Sequence, residues 1–148
     1  MTDPVAAFTA ALGLSPLPVE GGRWARSWAD ESFSAIYYLL EHPEFSAWHR
    51  LDRAELYVHH AGAPVTTHLV GPGGYRAHRL GSDVAAGQRP QLLVPAGTWQ
   101  ASETTTETKS WSLVGTVVIP PYTDDSVEFA TRDDVPADLW RLLSAASP

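Results

Sequence analysis

Three side chains that can ligate a metal ion or move a proton lie in two short blocks of the sequence: His49 and Glu55 in the first, Gln100 in the second. A strand that turns back through a tight loop can place His49 and Glu55 on one inner face, and the turn at residues 95–97 directs Gln100 toward them. Such mixed nitrogen and oxygen ligands suit one divalent cation, for example Mn, Fe, Ni or Zn. The alternative is a metal-free polar triad in which Gln100 bridges the other two.

Alternation along the same segment predicts a second set of polar groups. Glu55, Tyr57 and His59 point to one side of a strand, so they form a polar and aromatic pocket wall if Glu55 faces inward. We expect His59 as a general base and Tyr57 as a phenol acid, beside Glu55, because imidazole titrates near neutrality. The alternative is that His59 faces a subunit interface or solvent. Gln91 is a further candidate for ligand binding at this wall.

The tryptophans divide into two groups by their expected orientation. Trp24 and Trp28 lie four residues apart in an expected N-terminal strand, on one face, and are candidates for ligand binding at the pocket rim or for a dimer contact. Trp48 and Trp99 each precede a candidate pocket residue, so alternation predicts that both face away from the pocket and pack beneath it.

Short strands between two helices must position these groups. Pro4 behind an Asp cap, apolar residues at helical spacing and the stop at Gly13 predict a helix at about 3–14, and a second capped pattern predicts one at about 135–145. Between them, apolar or alternating runs broken by Pro- and Gly-rich turns predict strands at 34–40, 47–51, 55–60, 65–70, 75–80, 91–94, 98–102 and 110–119. We therefore expect one all-β domain over residues 1–148, with a sandwich or barrel at about 20–130.

Composition excludes several classes of function. The chain of 148 residues has 10 Lys and Arg against 17 Asp and Glu, a net charge of −7, and no cysteine. We expect no nucleic-acid partner, no disulfide and no cysteine nucleophile. The apolar runs are too short to cross a bilayer and the N-terminus has no basic region, which favours a cytoplasmic protein with no membrane partner. Arg23 and Arg26 either meet an anionic ligand or pair with the acidic surface.

The two blocks resemble the paired motifs of the cupin superfamily. His49, Glu55 and Gly62 match the first motif, and Gly87, Pro95 and Gly97 approximate the second. The segments LGLSPLPVEGGRW, IYYLLEHPEFSAWHRLDRAELYVHHAGAP, GQRPQLLVPAGTWQAS and SLVGTVVIPPY are similar, in order, to the small single-domain cupins of family five, whose members mostly lack a defined function. The resemblance implies a cupin β-barrel (double-stranded β-helix, or jelly roll) with short terminal helices, and a homodimer.

Departures from the general motif weaken the metal expectation. The second and third metal histidines of the superfamily would fall at Leu51 and Gln100, although Gln100 is usual in this subfamily. The resemblance then implies a small polar or carbohydrate-like ligand in the barrel. We expect acid/base isomerisation or epimerisation, as in metal-free cupin epimerases, or weakly metal-assisted lyase or oxygenase chemistry. The alternative is a non-catalytic binding or sensor module.

Overall fold

A computed structural model describes residues 3–145 of the chain. Helix α1 (Pro4–Leu12) precedes a long series of strands. The strands are β1 (Ser15–Pro16), β2 (Arg23–Ala29), β3 (Ser34–Glu41), β4 (Phe45–Leu51), β5 (Ala54–Gly62), β6 (Val65–Gly71), β7 (Gly74–Leu80), β8 (Gln91–Val94), β9 (Trp99–Glu103), β10 (Trp111–Ile119) and β11 (Val127–Phe129). Short 3-10 segments lie at Val84–Ala86, Asp124–Ser126, Arg132–Asp134 and Ala137–Leu142. No helix in this part of the chain is long and apolar enough to span a membrane.

The strands form two antiparallel sheets, which confirms the expected all-β class. The order is β1-β2-β3-β10-β5-β8 in one sheet and β11-β4-β9-β6-β7 in the other. The two sheets pack face to face: buried Tyr38 and Tyr57 of the first contact a core cluster that includes Val65 and Leu69 of the second. All eight predicted strands form, within three residues of their expected bounds. We call the faces that meet in this core the inner faces.

Helix α1 begins and ends where the sequence predicts. The Asp3 side chain accepts a hydrogen bond from the Val5 amide at 3.1 Å, and Gly13 ends the helix with φ 69°. Val5 and Phe8 then pack against Leu39 and other residues on the outer face of the six-stranded sheet. The helix therefore covers one end of that face.

The short C-terminal helix expected at about 135–145 is present, but it is shorter than expected and of the 3-10 type. The segment forms the 3-10 turn Ala137–Leu142, interrupted at Leu139, whose φ of −117° and ψ of 15° are not helical. The Trp48 indole donates to the Leu139 carbonyl at 3.0 Å, and the Asp134 carboxylate accepts from the Thr131 amide at 2.8 Å, which caps the preceding 3-10 turn at Arg132–Asp134. The apolar residues still dock, because Leu139 and Leu142 are buried in a cluster with Trp48.

The rest of the outer face of the six-stranded sheet carries an uncharged row of side chains. The register places them in one line across five strands: Trp28, Ala35, Val117, Leu56 and Leu93. The two ends of this apolar row are the most exposed, Trp28 at 54% and Leu93 at 57%. We call it the outer apolar row.

The expectation that Trp24 and Trp28 share a face is wrong. Trp24 pairs with Tyr38 of β3, but the register shifts by one residue between Arg26 and Trp28, so Trp28 pairs with Ala35. A β-bulge of this kind reverses the alternation beyond it. Trp24 consequently points toward the inner face and Trp28 toward the outer one.

The segment between β1 and β2 approaches the inner face through a glycine. Gly22 has φ +76°, and a Cβ there would lie 2.6 Å from the Tyr38 hydroxyl and 2.7 Å from Cζ. The same hydroxyl donates to the Gly21 carbonyl at 2.5 Å. Only a residue without a side chain fits this contact.

We expect Gly22→Ala to lower the free energy of unfolding by about 1–3 kcal/mol, since the methyl group strains the backbone and displaces Tyr38. Gly73→Ala is the matched control, because a Cβ at Gly73 meets nothing within 4 Å. Urea unfolding of both variants measures the difference. Equal stability of the two variants would contradict the close packing inferred for Gly22.

Candidate functional site

A cavity of about 380 Å³ opens between the two sheets. Its inner end carries His49 and Glu55, which are only 3% and 7% exposed, together with Glu20 and Tyr57. Its walls are mostly apolar and aromatic: Leu17, Ile36, Tyr38, Leu51, Val118, Val127 and Phe129. Such a pocket, apolar with a few convergent polar groups, is the usual form of a small-molecule site.

Gln100 joins the two sheets beneath the inner end of the cavity. It lies directly across from His49 in the register of β4 and β9, and its side chain reaches β5 on the opposite sheet. Its Nε2 donates to Glu55 Oε1 at 3.0 Å, and its Oε1 accepts from the Tyr57 hydroxyl at 2.5 Å. Gln100 therefore bridges Glu55 and Tyr57, rather than Glu55 and His49 as the triad interpretation predicts.

His49 is fixed in one orientation by its own strand. Its Nδ1 lies 2.7 Å from the Ala47 carbonyl oxygen, which can only accept, so Nδ1 carries the hydrogen. A neutral His49 then has its lone pair on Nε2, which lies 3.7 Å from Glu20 Oε1. The inner end thus presents a basic nitrogen next to a carboxylate.

Glu20 is a site residue that the sequence reasoning missed. It lies between β1 and β2, far from the two motif blocks, and reaches the cavity because β4 holds it at two points. The Ala47 amide donates to the Glu20 carbonyl at 2.8 Å, and the Ser46 hydroxyl donates to Glu20 Oε2 at 2.9 Å. The available signal was the segment LPVEGGRW, in which two glycines follow the glutamate.

Burial changes the proton affinity of the groups at the inner end. Desolvation raises the pKa of the Glu55 carboxyl above its ordinary value of 4.5, against the opposing effect of nearby His49. Desolvation also raises the pKa of Tyr57 well above its ordinary value, with a further contribution from the charge of Glu55. Glu55 therefore keeps a proton to higher pH than an exposed glutamate, and Tyr57 stays a neutral phenol.

The mouth of the cavity carries aromatic and charged groups of both signs. Trp24 lines it as expected, and the Arg26 guanidinium carbon lies 5.9 Å from the centroid of the Trp24 ring. Tyr122 and the exposed Asp124, from the segment after β10, also line the cavity, and the Tyr122 amide donates to Ser34 Oγ of β3 at 2.9 Å. The roles of Tyr122 and Asp124 were not foreseen, because nothing in their local sequence shows that they reach the cavity.

Three candidate residues lie outside the cavity. His59 faces the interior but does not line it, and its Nε2 lies 2.9 Å from the Ala63 carbonyl. Gln91 is exposed on edge strand β8, where it pairs with Val58, an outer-face residue. Trp28 lies on the outer face beyond the β-bulge. This geometry gives none of the three a direct contact with a ligand in the cavity.

The metal ligand set expected from the sequence does not assemble. Both polar atoms of the Gln100 amide are engaged by Glu55 and Tyr57, and Leu51 stands where the superfamily pattern has a second histidine. Within residues 3–145, no group of three or more His, Asp or Glu side chains is arranged to hold a metal ion. The side chains His49, Glu55 and Gln100 therefore do not fit a divalent metal ion as they are placed.

A second polar network lies on the outer face of the five-stranded sheet, away from the cavity. His68, which the sequence reasoning gave no role, contacts the Tyr75 hydroxyl and Glu103 Oε2, both at 2.8 Å. Arg141 donates two hydrogen bonds to Glu103. His68 and Arg141 lower the pKa of Glu103 to about 2, against desolvation by burial. The network ties the C-terminal segment to the sheet.

The raised pKa of Glu55 predicts a pH-dependent cost of folding. A carboxyl whose pKa is higher in the folded state favours folding below its ordinary pKa of 4.5, and this contribution is lost as the pH rises through the folded-state pKa. We therefore expect Glu55→Gln to gain stability relative to the wild type between pH 4.5 and neutral pH. Urea unfolding across this range measures it, with the exposed Glu107→Gln as control. A stability difference independent of pH would contradict the burial effect.

Comparison with known proteins identifies the family. Residues 6–130 match the family model Cupin_5, described as "Cupin superfamily (DUF985)". A crystal structure of a protein from Shewanella oneidensis is 33% identical, with a TM-score of 0.85, and the match covers 97% of this chain and 98% of that one. A hypothetical protein from Leishmania major is 24% identical, with a TM-score of 0.81 and coverage of 87% and 88%.

More distant matches show the fold alone. Oxalate decarboxylase from Bacillus subtilis is 10% identical, with a TM-score of 0.61, and the match covers 78% of this chain and 29% of that one. No curated protein matches this chain in sequence. Because the matched family model covers most of the chain and the sheets have the cupin arrangement, this protein belongs to the Cupin_5 (DUF985) family of the cupin superfamily.

Proposed function

We propose that the protein binds a small polar, carbohydrate-like molecule in the cavity and catalyses its isomerisation or epimerisation by proton transfer. The single observation that carries this proposal is the buried pair at the inner end, a basic His49 nitrogen close to a Glu55 carboxyl of raised pKa. Titratable groups with shifted pKa in a cavity are typical of acid/base sites.

Each proton has a defined origin and destination in this reaction. His49 Nε2 takes a proton from the carbon next to a substrate carbonyl, while Glu55 gives its proton to the carbonyl oxygen, which leaves an enediol. Return of the His49 proton to the neighbouring carbon, with Glu55 taking the proton of the other hydroxyl, completes an isomerisation. For an epimer, the enediol turns over in the cavity, His49 returns the proton to the opposite face of the original carbon, and Glu55 takes back the proton that it gave to the carbonyl oxygen.

Glu20 stabilises the charged intermediate state of this site. When His49 holds the extra proton, its Nε2 forms an ion pair with Glu20 Oε1, which lies 3.7 Å away. Tyr57 has a different role from the phenol acid predicted from the sequence, since its hydroxyl donates to Gln100. We assign Tyr57 and Gln100 to positioning Glu55.

Metal-assisted lyase or oxygenase chemistry is less well supported, because the ligand set does not assemble around Gln100. A non-catalytic binding module uses the same cavity, so binding alone does not separate it from the enzyme. The cupin fold does not decide between them, since one fold carries many functions. Proton exchange at a substrate carbon is the measurement that separates them.

We expect the wild type to exchange carbon-bound protons of aldoses, ketoses and their phosphates with D₂O, measured by ¹H NMR. Glu55→Gln and His49→Gln are expected to reduce the rate about 10²- to 10⁴-fold, since each removes one proton-transfer group. His59→Gln is expected to retain the rate, because His59 lies outside the cavity, and treatment with EDTA is expected to have no effect.

Folding of each variant is checked by circular dichroism and urea unfolding. Wild-type rates in both the Glu55 and the His49 variants would overturn the proposed roles. Binding of these probes without exchange would identify a binding module instead. Loss of exchange after EDTA treatment, restored by a divalent ion, would favour the metal-assisted alternative.

We also propose that two copies pair through the outer apolar row. An isologous interface uses the same patch on both copies, and the outer apolar row is uncharged in a chain of net charge −7. Exposed sheet surface of this kind is usually covered. A dimer across it would bury Trp28 and Leu93.

We expect a dimer by light scattering after size exclusion, and a monomer for Leu93→Asp, because a buried unpaired carboxylate opposes association. Val84→Asp is the matched control, since Val84 is similarly exposed at 55% but lies on a 3-10 turn away from the outer apolar row. A monomeric wild type, or a dimer unaffected by Leu93→Asp, would contradict the interface.

A further inference from the structure

Arg26 is the single Arg or Lys side chain among the described residues that line the cavity. Within residues 3–145 it has no ion-pair partner, and its guanidinium carbon lies over the face of the Trp24 ring, 5.9 Å from the centroid. Neighbouring Arg23, on the opposite face of β2, is paired with both Glu41 and Glu44. Arg26 is therefore a free cation held at the cavity mouth.

The register of the inner face places Arg26 opposite the catalytic end of the cavity. Arg26 pairs with Ile36, Ile36 with Thr116, and Thr116 with Tyr57, so four strands carry one continuous row. Three strand spacings of about 4.8 Å put the Arg26 and Tyr57 backbones roughly 14 Å apart. Arg26 and Tyr57 both line the cavity, so a small molecule that fills it lies between them.

The two ends of the cavity differ in charge. The inner end holds the carboxyl groups of Glu20 and Glu55 and no Arg or Lys side chain, so it offers an anionic group no permanently cationic partner. The mouth offers a planar guanidinium on an aromatic face, which suits carboxylate and phosphate oxygens. Asp124 also lines the mouth but forms no ion pair with Arg26 within the described residues.

We propose that the substrate of this site is an anion, with a carboxylate or phosphate held by Arg26 at the mouth and an uncharged hydroxyl or carbonyl end against His49 and Glu55. This inference rests on the proposed function, because it takes the cavity as the substrate site. It adds to the proposed function the charge of the substrate and the orientation in which the substrate binds. Arg26 is then a specificity residue that contacts the substrate but moves no proton.

The test uses four hexoses of matched skeleton: glucose, glucosamine, glucuronate and glucose 6-phosphate. Their dissociation constants are measured by NMR titration with the wild type, Arg26→Gln and Arg23→Gln. We expect the two anions to bind more tightly than the neutral and cationic probes, and Arg26→Gln to weaken them about tenfold or more, as for a lost charge-assisted hydrogen bond. The phosphate and carboxylate probes show which anion is preferred.

Arg23→Gln is the matched control, since it removes the same charge from the same strand but from the opposite face. It is expected to leave all four dissociation constants unchanged within about twofold. Equal affinity of the anions for wild type and Arg26→Gln, tighter binding of glucosamine, or no binding of either anion at millimolar concentration would overturn the inference.

The outcomes separate this inference from the proposed function. Binding of the anions through Arg26 without proton exchange would retain the inference and reject catalysis. Exchange of neutral sugars that is lost in Glu55→Gln and unaffected in Arg26→Gln would retain catalysis and reject the inference.

Discussion

The site depends on the burial of one carboxyl group between two sheets. Glu55 is removed from water, and a buried polar group without partners would cost several kcal/mol, roughly 2–7. Gln100 meets this requirement from the opposite sheet, while its own oxygen is satisfied by Tyr57. Because the amide has one donor end and one acceptor end, this chain of hydrogen bonds has a fixed direction. The Thr116 side chain is a further hydrogen-bond partner of Glu55, and both residues line the cavity.

Much of the fold follows from local sequence. The Pro- and Gly-rich turns and the period of two placed all eight predicted strands, and the turn before Gln100 correctly brought it opposite His49. Alternation also placed Glu55, Tyr57 and His59 on one face, as their registers with Val118, Thr116 and Val114 of β10 show. Where the physical signal is local, the structure agrees with it.

The errors come from features that local sequence does not contain. Alternation specifies the face of a strand but not how far along it the cavity extends, so it predicts His59 as a site residue although His59 lies beyond the cavity. A one-residue bulge separates Trp24 from Trp28. Glu20 reaches the cavity through a contact with β4, which is distant in sequence. The Trp48 indole donates to the Leu139 carbonyl, and the helical pattern around Leu139 gives no sign of this contact.

The anchoring of Glu20 has a mechanical consequence. Its backbone and carboxylate are both hydrogen-bonded to β4, the strand that carries His49. Glu20 and His49 therefore move together with that strand. Glu55 belongs to the facing sheet and is coupled to β9, next to β4, through the Gln100 side chain. A shift of one sheet relative to the other therefore leaves the distance between Glu20 and His49 unchanged, whereas it alters the distance between His49 and Glu55. The Gln100 side chain acts as the spacer that limits this motion.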